Sequence, residues 1–145
     1  MTALLIGLVL ALAVAAFARL VGFDRDRAFY PTVLIVVGSY YVLFAVMAGT
    51  GVVEEIALFL FFAAAAVAAF RINPWFAAAG LAAHGLFDFV RHDQLPAPGA
   101  PTWWPAFCGG FDVAAGVVLA AILVAGAITQ KRSAPRRSSN RNVGS

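Results

Sequence analysis

A chain of 145 residues has room for about one domain. Hydrophobic residues make up 63% of it and charged residues 12%, against roughly 45–50% and 25% in soluble domains, which excludes a soluble globule and predicts an all-α integral membrane bundle. The net charge of +3 belongs to a tail: residues 1–130 hold five Arg against seven acids, whereas Lys131, Arg132, Arg136, Arg137 and Arg141 stand without one.

Five apolar segments follow in chain order, and about 20 residues cross a bilayer. The first covers residues 3–21. Its Ala16-Phe17-Ala18 has the look of a signal-peptide cleavage site, but Met1-Thr2 lacks the positive charge such leaders carry. We read it as a retained span, with removal of residues 1–18 as the alternative. Asp24-Arg25-Asp26-Arg27 is too charged for lipid and ends it. The second segment, 29–49, has Pro31 in its first turn, where a missing N–H does no harm. Ala48-Gly49-Thr50-Gly51 predicts a tight turn, so the third segment, 52–70, returns antiparallel to the second.

Asn73-Pro74 reads as a helix cap followed by a first-turn proline, opening a fourth segment at 74–91. That segment is the least apolar because it contains His84 and Asp88. Pro96, Pro98, Gly99 and Pro101 make residues 93–102 an extended loop before the fifth segment, 103–129. The reading is a single transmembrane domain over 1–130 and a basic, disordered tail over 131–145.

Arginine and lysine concentrate on the cytoplasmic side of membrane proteins. Arg19, Arg25 and Arg27 flank the first connection, Arg71 marks the third, and the basic tail ends the chain. The second turn has no basic residue and leads into Glu54 and Glu55. Five spans, with the amino terminus outside and the carboxyl terminus cytoplasmic, satisfy all of these except Arg91, which is expected to snorkel outward beside Asp93. The cytoplasmic (inner) membrane of a bacterium is the expected location, with the bilayer as the certain partner. A partner membrane protein or a homo-oligomer is a further expectation, and the tail suits anionic lipid rather than nucleic acid. Trp103, Trp104 and Tyr30 stand where interfacial anchors belong.

His84, Asp88 and His92 are spaced four apart and share one helix face; Trp104, Cys108, Asp112 and Gly116 form a matching stripe on the fifth segment. At about 1.5 Å per residue, His84 and Asp112 lie roughly 10–12 Å below the outer surface. Ionisable groups at the bilayer centre cost roughly 2.5–3.5 kcal/mol to insert, so they meet one another or line a wet cavity. The expectation is one polar pocket in the outer half of the bilayer, open to the exterior, formed by His84, Asp88, Asp112, Glu54, Glu55, His92 and Tyr41. A clamp between the fourth and fifth helices is the competing explanation. If a metal is held, His84, Asp88 and His92 are the candidate ligands. Cys108 reads as a small packing residue.

Glu54-Glu55, then His84 and Asp88, partly resembles the pattern of the intramembrane prenyl-protease (CPBP) family. Phe59 stands where that family's EExxxR needs arginine and its FxxxH is absent, so the chain is not assigned there. No GxxxxGK[ST] is present for nucleotide binding, and Ser39, the one serine before the tail, lacks a GxSxG setting. No motif implies a cofactor; His84 could serve as a haem ligand, but there is no CxxCH. Three functions remain: a non-catalytic or accessory membrane protein first, then a small proton-linked carrier, then a metal-dependent enzyme acting on lipid.

Overall fold

The computed structural model describes the backbone of residues 1–94 and 97–133 and the side chains of residues 1–91 and 97–128. These residues form five α-helices and one short 3-10 turn, with no strand among them: α1 (Thr2–Val21), the turn Phe23–Arg25, α2 (Phe29–Ala48), α3 (Val52–Arg71), α4 (Trp75–Gln94) and α5 (Trp104–Ser133). The chain is all-α, and α1, α2, α3 and α5 are long and apolar enough to cross a membrane. The expected segments match these helices to within a few residues. The main differences are that α4 continues to Gln94, shortening the loop that follows, and that α5 runs to Ser133, into the expected tail. Residues 134–145 of that tail lie outside the described residues.

The helix ends follow from local chemistry. Gly22 (φ 90°) stops α1 and Gly49 (φ 69°) stops α2, each in the left-handed region where a side chain would clash. Gly51 (φ 72°) completes the tight turn into α3. Asn73 Oδ1 accepts the Trp75 backbone N–H at 3.0 Å, so the expected cap over Pro74 is present. Asp26 does the same for the Ala28 N–H at 2.8 Å ahead of α2.

The helices pack in the spatial order α1–α5–α4–α3–α2, and α2 also touches α4 and α5. Helix α4 therefore sits at the centre. Its buried residues are Ala77, Ala78, Gly80, Leu81, His84, Gly85, Asp88 and Arg91, recurring every three or four positions, while Phe76, Leu86, Phe89 and Val90 face outward. The polar stripe points into the bundle and the apolar stripe out of it, the reverse of a helix in water.

Small residues permit the close crossings. A methyl group at Gly85 would lie 2.9 Å from the Gly109 carbonyl oxygen, and one at Gly109 would lie 3.0 Å from that of Gly85. Gly85→Val should therefore push α4 and α5 apart and cost about 1–3 kcal/mol of unfolding free energy in detergent; an unchanged unfolding midpoint would show that the crossing relaxes freely. The stripe Gly7, Ala11 and Ala18 is buried too, and a methyl at Gly7 would run into the Phe107 carbonyl on α5. This stripe is thus used for packing within the bundle.

Candidate functional site

Apart from Asp24 and Tyr30 near the α1–α2 connection, the buried polar side chains of the described residues gather at the other end of the bundle. Glu55 lies one turn into α3, Tyr41 on the second half of α2, His84, Asp88 and Arg91 on α4, and Cys108 and Asp112 on the first turns of α5. The loop at 97–100 folds over the same end: Gly99 (φ 72°) sits tightly against the Phe44 carbonyl and Pro98 against Gly51. The α2–α3 turn and the α4–α5 loop are therefore neighbours, and the polar groups lie beneath them.

Three cross-helix contacts make up the site. His84 Nδ1 and Asp112 Oδ2 are 2.7 Å apart, joining α4 to α5. Tyr41 donates its hydroxyl to Asp88 Oδ1 at 2.8 Å, joining α2 to α4. Arg91 grips Glu55 with both terminal nitrogens, Nη1 donating to Oε2 at 2.8 Å, and joins α4 to α3. The guanidinium also lies 4.7 Å above the Tyr41 ring, a cation–π distance that couples the second and third contacts. Asp88 Oδ2 stands 3.6 Å from His84 Nδ1, and Cys108 Sγ reaches Asp112 Oδ2 at 3.5 Å. The Phe62 ring packs edge-on against the imidazole at 4.7 Å.

Two properties of this cluster matter for its chemistry. First, it is sealed: His84, Asp88, Asp112 and Tyr41 are each no more than 1% exposed. Among the described residues no opening to the exterior is seen, and the Tyr41 and Phe62 rings pack against the imidazole with centroids 6.0 Å and 4.7 Å away. Second, it is not balanced in charge or hydrogen bonding. Among the described residues Glu55, Asp88 and Asp112 face one guanidinium and one imidazole, so with all three carboxyls ionised one negative charge is left over even when His84 is protonated. Asp88 Oδ2 and Asp112 Oδ1 are buried without a hydrogen-bond partner. Buried orphan acceptors are costly in a low-dielectric interior, and carboxylate oxygens more so.

The expected site residues divide accordingly. His84, Asp88, Asp112, Tyr41 and Glu55 come together. Glu54 does not: it is exposed, one residue round the helix from the buried Glu55. The side chain of His92, one of the three expected ligands, lies outside the described residues; among the described residues His84, Asp88, Cys108 and Asp112, drawn from two helices, bring ligating atoms together. Arg91 is the residue that sequence reasoning missed. It turns inward to Glu55 instead of snorkelling outward, and the signal was available, since position 91 continues the 77-81-84-88 stripe. Of the expected anchors, Trp103 is exposed, whereas Trp104 is half-buried against Tyr40 and Phe44, with ring centroids 5.0 Å away in each case. Tyr30 is buried, its ring against Phe29 in the core.

A large apolar cavity of about 1180 Å³ borders the cluster at Cys108. It runs between α1 and α2, which do not pack on each other, and α5 forms its floor. Of the cluster, only Cys108 belongs to its lining. No protein-family model, curated protein or solved structure matches the chain, so the site is interpreted from its own geometry.

Proposed function

We propose that this chain is a five-span, non-catalytic protein of the cytoplasmic membrane, its amino terminus outside, whose buried polar cluster ties four helices into one body. The observation that carries the reading is the set of three cross-helix contacts, His84–Asp112, Tyr41–Asp88 and Arg91–Glu55, all within a sealed core. Polar contacts of this kind hold membrane helices together where hydrophobic burial supplies no drive. The fifth span in this proposal is α4, whose inward polar stripe and outward Phe76, Leu86, Phe89 and Val90 suit a helix surrounded partly by protein and partly by lipid. Its accessory role, with a partner membrane protein or a second copy against the lipid-facing side, belongs to the same proposal, as does a single domain ending near residue 130.

Arg19, Arg25, Arg27 and Arg71 lie at the end opposite Glu54 and Glu55, which favours the proposed orientation. A cysteine placed at Thr50 in a Cys108→Ala background should react with an impermeant maleimide added outside cells. A reporter fused after Ser145 should be active only in the cytoplasm. Labelling of Thr50→Cys from the inside would reverse the assignment.

A second reading, a proton-linked carrier, is favoured by the surplus negative charge and by the orphan oxygens of Asp88 and Asp112. Reconstituted vesicles under a pH gradient separate the two. The non-catalytic reading expects no flux above protein-free vesicles, and the carrier reading expects a flux that Asp112→Asn abolishes.

A further inference from the structure

Four side chains of the cluster offer donors of three chemical kinds: an imidazole nitrogen from His84, carboxylate oxygens from Asp88 and Asp112, and the sulfur of Cys108. One such atom from each lies within 4.8 Å of all the others, and all four residues are buried. They come from two helices locked together at the Gly85–Gly109 crossing, so their backbone positions are held. Asp88 Oδ2 and Asp112 Oδ1 are buried without partners, and Asp88 Oδ2 faces the imidazole nitrogen at 3.6 Å.

We infer that His84, Asp88, Cys108 and Asp112 form a binding site for one divalent transition-metal ion. Charge supports it. With a neutral imidazole, two aspartates and the Cys108 thiolate would carry three negative charges in an apolar surrounding, and a divalent cation offsets two of them. The donor set argues for zinc or a similar borderline ion, because magnesium and calcium select oxygen ligands alone. Tyr41 supplies the outer support usual at such centres, since its hydroxyl holds Asp88 Oδ1 at 2.8 Å and leaves Oδ2 to the ion. Ligand bonds of about 2.0–2.3 Å set tetrahedral donors roughly 3.3 Å or more apart. The ion therefore sits between His84 Nδ1 and Asp112 Oδ2, with the proton of the neutral imidazole on Nε2 and a small separation of the pair. Binding releases the proton of the Cys108 thiol, which must become a thiolate to act as a ligand.

The inference rests on the cluster being the polar centre of a membrane bundle, as proposed above, and its test is separable from that reading. The full chain, purified in detergent and stripped with chelator, is titrated with zinc, and the bound metal is measured after desalting. One zinc per chain is expected for the wild type and for Glu54→Gln. Asp112→Asn and Cys108→Ser should bind about tenfold or more weakly. Cobalt in place of zinc should give a thiolate-to-cobalt charge-transfer band in the wild-type chain, a readout that needs no variant to fold. Absence of stoichiometric zinc, retention of zinc in both variants, or cobalt bound without the thiolate band would each overturn the site. Helix clamping is judged instead from unfolding in chelator, so it can survive the loss of the metal site and can fail without it.

Discussion

Arg91→Ala should destabilise the bundle by about 3–5 kcal/mol, the cost of leaving a buried carboxylate without its counter-charge. Arg91 and Glu55 are 6% and 4% exposed, so water cannot take over the role of the missing guanidinium. The variant also removes the cation lying over the Tyr41 ring, loosening the residue that donates to Asp88. Unfolding in detergent, followed by circular dichroism, measures the loss. The decisive comparison is the double variant Glu55→Leu, Arg91→Leu, which replaces both charges by apolar groups. It should recover most of the lost stability, because breaking a buried pair is far more costly than removing it whole. If the double variant is as unstable as Arg91→Ala, the pair contributes by something other than mutual neutralisation.

His84→Ala should cost more than Asp112→Asn, although the two substitutions remove opposite ends of one contact. Without the imidazole, Asp88 and Asp112 confront each other across the α4–α5 interface with no positive group between them, an expected loss of about 3–5 kcal/mol. Asp112→Asn keeps an acceptor for His84 and removes one charge from a cluster that has one too many, so about 0.5–1.5 kcal/mol is expected. Both are to be measured in chelator, so that the protein contacts alone are compared. Equal losses for the two variants would mean that the surplus negative charge is not what governs this core.

Much of the architecture was legible in the residue order because lipid imposes a simple rule. Runs of about 20 apolar residues become helices, since every backbone N–H and C=O must be satisfied within the segment. The charged run from Asp24 to Arg27 marks where the first stops, and glycine and proline mark the later breaks, as at Gly49, Gly51 and Asn73-Pro74. The four-residue spacing of His84 and Asp88, repeated by Cys108 and Asp112, announced two facing polar stripes.

Contact between those stripes was a matter of packing alone. Periodicity names the face of a helix, but whether two faces meet depends on which helices are neighbours and how closely they approach. Here Gly85 against Gly109 and the central position of α4 bring His84 to Asp112 and hold Cys108 within reach. The inward turn of Arg91, the separation of Glu54 from Glu55 and the burial of Tyr30 have the same origin. Long or amphipathic side chains near a helix end can serve either lipid headgroups or the core, and their own spacing does not say which. A buried partner decides it: Arg91 points inward because Glu55 waits there across α3, thirty-six residues away in the chain.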